Sequence, residues 1–291
     1  MVPQIKNGIL NIDKPQGITS HDVVDIVRKI FPGIKVGHTG TLDPIATGVL
    51  PICIGKATKL SDELLSENKV YKVKMLLGVE TDTYDITGKI VFANTLNEDE
   101  IYIKERIKRF IGKSSQIPPI YSAIKIKGKK AYEYARNGEN VSLKPREIEI
   151  FNIDDIDVNL RKRQVSFVVS CTKGTYIRSL VHDIGIKLGC GATMIELKRL
   201  KTGDFDINDS TDLYEFLNLE YLDMLDKIVS IEELYKDSKK VNLKDKDYDK
   251  FLNGIAIKTD VPNGIVRVYE NLRYKGLGKV NDNLLKRFII E

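Results

Sequence analysis

An imidazole and a carboxylate share one short stretch of this chain, Gly37-His38-Thr39-Gly40-Thr41-Leu42-Asp43-Pro44, which runs on into Ala46-Thr47-Gly48. Pro44 restricts the backbone of Asp43, Leu42 can shield it from water, and Gly37, Gly40 and Gly48 permit angles and close approaches that a Cβ resists. Such a loop can hold an acid rigidly and leave room above it for a flat ligand. A carboxylate placed that way can serve as nucleophile or base with no external cofactor. On the dipeptide alone, Asp43 reads as a turn aspartate bonded to its own backbone. His38 alone reads equally as a hydrogen-bonded structural histidine.

Three more residues bear on that carboxylate. Tyr71 shares an apolar strand face with Val73, Met75 and Leu77, where a tyrosine is more often core than ligand contact. Tyr176 and Arg178 follow a strand ending at Cys171. If that strand continues through them, two-residue alternation projects both the same way. An arginine there can pair with a carboxylate, keeping it ionised and fixing its orientation; a surface arginine at a helix start is the plain alternative.

Other chemistries fail on spacing. Gly112-Lys113-Ser114 imitates the end of a P-loop, but Ile107 occupies the position of its first glycine. No GxGxxG follows a strand, and GxSxG is absent. His21, His38 and His182 are followed two residues on by Val23, Gly40 and Ile184, where a zinc deaminase needs glutamate. Cys53, Cys171 and Cys190 are scattered without a CxxC pair, so no disulfide framework and no metal site is expected.

The elements that must position these residues can be read along the chain. At 291 residues, 42% hydrophobic and 30% charged, it is long enough for one large domain or a large and a small one around a sizeable core. Met1 to Gly8 has no apolar leader core and no segment is long enough to span a bilayer, so a reduced, cytoplasmic protein without membrane attachment is expected. Gly8 to Ile12 reads as a strand, with a turn at Asp13 to Gly17. Thr19 and Asp22 have capping-box spacing ahead of a helical stripe, Val23, Val24, Val27, Ile30 and Phe31, stopped by Pro32-Gly33. Val70 to Leu77 alternates as a strand, Thr87-Gly88 marks a hairpin turn before Ile90, and Asn97 to Ile111 reads as an amphipathic helix with Glu100/Lys104 at ion-pair spacing. Strands at Ile148 and at Val165 to Cys171 precede a helix through Leu188, closed by Gly189. After helical segments from Thr211 to about Tyr235, the charged run Asp237 to Lys250, a linker or a polar first element, leads into short, evenly spaced strands, the pattern of a small barrel.

Net charge is +5, and its distribution says more than its size. From Lys125 to Arg146 there are seven basic residues (Lys125, Lys127, Lys129, Lys130, Arg136, Lys144, Arg146) against two acidic ones, with Tyr132 and Tyr134 among them. Basic side chains interleaved with aromatics suit phosphate contact and base stacking, although a solvated surface loop has the same composition.

Taken together, these segments resemble the TruB family of tRNA pseudouridine synthases. Leu10 to Ser20 (LNIDKPQGITS) looks like the family's first motif, Gly37 to Pro51 (GHTGTLDPIATGVLP) like its catalytic motif, and Lys69 to Val73 (KVYKV) like the motif of the active-site tyrosine. Gln116 to Arg136 is similar to the insertion that clasps the tRNA T-arm, and Ser170 to Leu180 with Gly189 to Leu200 completes the set over roughly residues 8–205.

The resemblance implies an α+β fold: a mixed, largely antiparallel sheet flanked by helices, with a small C-terminal PUA-like β-barrel. It implies a catalytic domain over 1–236 with an RNA-clasping insertion at about 114–146, and an RNA-binding domain over 237–291. The implied reaction converts the T-loop uridine of tRNA, position 55, to pseudouridine, using no cofactor and no metal. Asp43 would be the catalytic carboxylate. His38, Tyr71, Tyr176, Arg178 and Leu197 would meet the substrate, while Lys14 and Pro15 brace the catalytic loop. Lys125, Lys127, Lys129, Lys130 and Arg136 would hold the RNA backbone. The implied partner is the tRNA T-arm stem-loop, taken by a monomer without a protein partner. Two other functions use the same residues: an RNA chaperone that remodels the T-arm without chemistry, and a hydrolase that releases free base. The latter lacks an evident second carboxylate.

Overall fold

The computed structural model describes residues 7–65, 67–95, 97–122, 124–126, 128–137, 139 and 141–291. Seven strands form the main sheet: β1 (Gly8–Lys14), β2 (Thr47–Ile54), β3 (Lys69–Leu77), β4 (Gly112–Gln116), β5 (Arg146–Asn159), β6 (Gln164–Cys171) and β7 (Ala192–Thr202). Their order is β1–β2–β7–β3–β6–β5–β4. All neighbours in that row are antiparallel except β2 and β7, which run parallel with Gly48 opposite Arg199. Short strands flanking β1, β2 and β7 bring the sheet to eleven strands among the described residues. The expected α+β sheet is therefore present.

Side-chain alternation explains how the sheet divides its faces. Along β3, Tyr71, Val73, Met75 and Leu77 are buried while Lys72 is exposed, as in an antiparallel strand covered on one side. The outer strands β1 and β2 are buried on both sides. Leu10, Ile12 and Ile52 join the helix-side core, whereas Ile9 and Cys53 pack with Leu277 and Ile289 from the C-terminal sheet.

The longest helices packed on the helix-side core are α1 (Ser20–Ile30), α2 (Glu100–Lys108) and α3 (Ile177–Leu188), and the short helices Leu213–Leu217 and Tyr221–Asp226 add Phe216 and Leu225 to it. The capping box forms as expected, with the Asp22 amide donating to Thr19 Oγ1 at 3.0 Å and the Thr19 amide donating to Asp22 Oδ2 at 2.7 Å. Burial of Val23, Val24 and Val27 follows the predicted stripe. The second helix is shorter than the 97–111 expected. Asp99 caps it, Glu100 and Lys104 pair at 2.6 Å, and it ends where the chain turns toward Gly112, which has a φ of 113° and opens β4. That turn leaves Ile111 44% exposed. Gly189, at a φ of 73°, closes α3 as the sequence predicts. The Thr87-Gly88 turn lies inside a longer loop, 82–89, wound around the Asp85 carboxylate, whose Oδ1 accepts the Thr87 amide at 2.9 Å.

The C-terminal sheet contains β8 (Lys240–Leu243), β9 (Ile257–Lys258), β10 (Gly264–Glu270), β11 (Arg273–Asn281) and β12 (Leu284–Ile290) in the order β8–β10–β11–β12–β9. It curls into a half-barrel, in keeping with the PUA-like C-terminal unit that the resemblance implies. The charged run supplies β8 and a helix, α4 (Asp245–Leu252), so of its two expected readings it is the polar first element. Tyr248 and Phe251 of α4 fill the core against Val266, Val268, Val280 and Leu285, so the apolar face is covered without edge-to-edge closure. Among the described residues no helix is long and apolar enough to cross a membrane.

Candidate active site

Asp43 sits in a loop braced through its main chain. Ser20 Oγ, buried at the start of α1, accepts the Leu42 amide at 2.8 Å and donates to the Leu42 carbonyl at 3.1 Å. The Gly17 amide donates to the Pro44 carbonyl at 2.8 Å, and the Ala46 amide to the Asp43 carbonyl at 3.0 Å. Lys14 stands behind this arrangement, fully buried, its Nζ donating to the carbonyls of Pro15 and Ile18 at 2.8 Å each. Burial pushes its ammonium down to about 8, opposed chiefly by the charge of Asp43. Lys14 and Pro15 thus meet the Asp43 loop from outside the cleft, through the 14–18 turn.

The Asp43 carboxylate is held from the other side of the cleft. Arg178 Nε lies 2.9 Å from Asp43 Oδ2. The same guanidinium donates to the carbonyls of Thr83 (3.1 Å) and Tyr121 (2.9 Å) and has Asp85 Oδ2 at 3.8 Å. The route by which Arg178 arrives differs from the sequence expectation. β6 stops at Cys171, Gly174 turns the chain at a φ of 78°, and Tyr176 becomes the cap of α3 with Arg178 in its first turn. Helical geometry, not strand alternation, places them. Gln116 at the end of β4 secures that start, accepting the Tyr176 amide at 2.8 Å and donating to its carbonyl at 3.1 Å.

Tyr71 on β3 faces Arg199 on β7 in direct register. Arg199 is 1% exposed, with Nε on the Val49 carbonyl at 2.7 Å and Nη2 on the Gly40 carbonyl at 3.2 Å. Burial raises the pKa of the Tyr71 phenol, with the Arg199 charge opposing, so it is protonated at neutral pH. Burial lowers Arg199 in turn, opposed by its contact with Tyr71. Gly48 acquires its reason here: a Cβ on it would fall 2.2 Å from the Arg199 carbonyl oxygen, so β2 and β7 could not approach. Gly37 carries no comparable demand, since the nearest atom its Cβ would meet is 3.9 Å away.

A cleft of about 770 Å³ opens over these groups, lined by Asp43, Tyr71, Tyr176, Arg178 and Leu197, with Arg199 at its base and Arg146 and Lys173 on its walls. Five of the residues singled out from sequence therefore converge. His38 does not line it: it ends the short strand Val36–His38, half-buried, with Nδ1 accepting the Gly40 amide at 3.2 Å and burial holding its pKa below the usual imidazole range.

The comparison with known proteins follows the same residues. Residues 28–177 match the family described as TruB family pseudouridylate synthase (N terminal domain), residues 178–236 the tRNA pseudouridylate synthase B C-terminal domain, and residues 240–286 the C-terminal region of pseudouridine synthase II TruB. The chain belongs to the TruB family. Relatives agree over almost the whole length. The tRNA pseudouridine synthase B of Clostridium kluyveri is 44% identical over 97% of this chain and 100% of its own. That of Aquifex aeolicus is 40% identical over 98% of this chain and 100% of its own. This TruB-family chain is thus a tRNA pseudouridine synthase, an isomerase. Its fold is similar to a chain in an H/ACA RNP bound to a substrate RNA containing 2′-deoxyuridine (TM-score 0.68, 28% identity, 95% of this chain and 78% of that one). It is also similar to a chain in a Cbf5-Nop10-Gar1 complex (TM-score 0.69, 29% identity, 94% and 78%).

Sequence reading missed four residues that build the synthase site. Arg199 stands two positions beyond Leu197 on the same strand face, and a charged residue at that register was the available signal. Lys69, inside the KVYKV motif, lines the cleft with Nζ on the Leu65 and Glu67 carbonyls, and burial pushes it down to about 8. Asp85 and Gln116 act across long sequence separations and left no local trace. Of the basic insertion, Lys127 lies outside the described residues. Lys125 and Lys130 are described only as backbone, in the paired strands Lys125–Ile126 and Lys129–Lys130, and Arg136 only as the end of the helix Ala131–Arg136. Lys129 is exposed, its Nζ 5.9 Å from the Tyr134 ring centre.

Proposed function

We propose that this synthase isomerises the T-loop uridine of tRNA, position 55, with Asp43 as its catalytic carboxylate. The observation that carries the reading is the Asp43–Arg178 pair at 2.9 Å on a cleft wall shared with Tyr71. In the reaction the N1–C1′ bond breaks, uracil turns while bound, and C5 joins C1′; the proton lost from C5 is balanced by one gained at N1. Asp43 serves by attack at C1′ or C6, or as a base at the ribose. Arg178 keeps it ionised and aimed. Tyr71, with its phenol kept protonated by burial, is assigned to stacking on the base and to proton transfer at C5. Tyr176 and Leu197 complete the pocket wall.

The target base must leave its stack to reach Asp43, at a cost of a few kcal/mol. Stacking on an aromatic ring is worth about 1–3 kcal/mol per base and offsets much of it. We assign Lys125, Lys127, Lys129, Lys130 and Arg136 of the insertion to the RNA backbone, where contacts set register without reading sequence, and His38 to the T-loop side. The 1–236 segment is then the catalytic domain and 237–291 an RNA-binding domain, acting as one copy on one T-arm, with remodelling of the T-arm as an accompanying activity.

Tritium release from T-arm RNA labelled at uridine C5 tests this. Wild-type protein releases tritium and forms pseudouridine; an unmodified T-loop uridine with no release would overturn the proposal. Free uracil among the products would instead mean glycosidic hydrolysis.

A further inference from the structure

Helix α3 carries Arg178 and, one turn later on the same face, His182. His182 does not line the cleft. Its ring stacks on Tyr84, with centroids 3.9 Å apart and planes 11° from parallel, and its Nδ1 lies 3.3 Å from Glu80 Oε1. Both members of that ion-pair geometry are mostly buried, with side-chain exposures of 20% and 18%.

Tyr84 is placed between the two loop residues that hold Arg178. Thr83 gives its carbonyl to Nη1 at 3.1 Å, and Asp85 presents Oδ2 to the same nitrogen at 3.8 Å. Thr83 and Asp85 are tied together by the Thr83 hydroxyl, which donates to Asp85 Oδ1 at 3.0 Å. Between them Tyr84 adopts a φ of 63°, a left-handed conformation that a bulky side chain enters only when its surroundings compel it. Two contacts do so. The Met194 amide donates to the Tyr84 carbonyl at 3.0 Å, and His182 clamps the ring.

We propose that His182, through its stack on Tyr84, is a positioning residue for Arg178. The stack ties the 82–85 loop to the second turn of α3, while Thr83 and Asp85 hold the arginine on its first turn. Glu80 Oε1 stands 3.3 Å from Nδ1 without hydrogen-bond geometry, so the stack on Tyr84 is the contact that sets the ring. Without the clamp, Tyr84 relaxes toward ordinary backbone angles and carries the Thr83 carbonyl and Asp85 carboxylate away from Arg178. The guanidinium is then free to rotate, and Asp43 loses its oriented partner. Neither ring faces the cleft, so the effect falls on turnover and not on RNA binding. The proposal rests on the reading in which Arg178 orients a catalytic Asp43.

The test is a set of four variants, His182→Ala, Tyr84→Ala, the double variant and His182→Phe, assayed for turnover of T-arm RNA alongside Asp43→Asn. Each alanine variant is expected to lower kcat by about three- to tenfold, the size of an aromatic pair expressed in the transition state, with KM within about twofold of wild type. The double variant should lose no more than the worse single one, because both remove the same contact. His182→Phe, which keeps a ring over Tyr84, should retain kcat within about twofold. Wild-type kcat in both alanine variants, an additive double loss, a change confined to KM, or a His182→Phe as slow as His182→Ala would each overturn the proposal. If His182→Ala melts below assay temperature, His182→Leu fills the space without a ring, and the same criteria apply. An active Asp43→Asn would overturn the functional reading itself. An inactive Asp43→Asn beside wild-type stack variants would remove only the proposal for His182.

Discussion

The two charges that meet across the cleft are held by opposite means. Asp43 is fixed by its backbone: the Leu42, Asp43 and Pro44 main-chain groups are bonded to Ser20, Ala46 and Gly17. Its side chain stays 37% exposed. Arg178 is fixed by its side chain: Asp43, Asp85 and the carbonyls of Thr83 and Tyr121 surround a guanidinium only 6% exposed. The acid therefore keeps an open face toward the cleft, while the cation's donors are taken up by the protein. Under the proposed function, that difference separates a reacting group from an orienting one, although the two form a single ion pair.

Substitution at each side should expose this asymmetry. Asp43→Asn keeps the loop's main-chain bonds and removes only the charge that the proposal makes reactive. We expect turnover to fall by about 10⁴-fold with T-arm affinity within a few-fold, read by tritium release and filter binding; loss of both from a folded variant would contradict the division. Arg178→Lys keeps the charge but cannot reach Asp43 and both carbonyls with one compact ammonium. A fall of about 10²-fold in kcat is expected, with little change in KM. Wild-type kcat there would mean that charge alone suffices.

On the acid's side the cost should appear as stability. Ser20→Ala strands the buried Leu42 amide and carbonyl, each lost bond costing about 1–3 kcal/mol, so denaturant unfolding should show a loss of about 2–4 kcal/mol. An unchanged midpoint would show that the loop is held elsewhere. The smallest effect concerns Lys14, which burial brings from 10.5 down to about 8. Between those values the unfolded chain binds more protons than the folded one, so stability rises with pH across this window, and the cost of burying the charge is fully present below it. Lys14→Met should remove a rise on the order of 2 kcal/mol between pH of about 7.5 and 10. Equal slopes in the two proteins would show that Lys14 does not titrate there.

Much of this was legible without coordinates, and the exceptions share a cause. Strand β3, the capping box of α1 and the Gly189 stop of α3 follow from side-chain period and capping chemistry, which act within a few residues. The placement of Tyr176 and Arg178 did not follow. Apolar alternation ends at Cys171, and nothing local signals that Gly174 reverses the chain into a helix whose cap is bonded by Gln116, sixty residues upstream. Arg199 was hidden for a related reason: its guanidinium bonds carbonyls of β2 and of the Asp43 loop, and carbonyls belong to every residue alike. At the C-terminus the charged run concealed α4, whose Tyr248 and Phe251 cover the apolar face of the curled half-barrel, because few apolar side chains of that helix carry the packing.

By itself the sequence determined the α+β class, the main elements, the family and five of the residues that meet in the cleft, because periodicity, caps and motif order are properties of side-chain type. Only the tertiary structure decided which group is spent and which is free. Asp43 stays open and Arg178 does not because of main-chain carbonyls and carboxylates delivered from distant loops. Hydrogen-bond acceptors of that kind leave no mark on the residues that carry them.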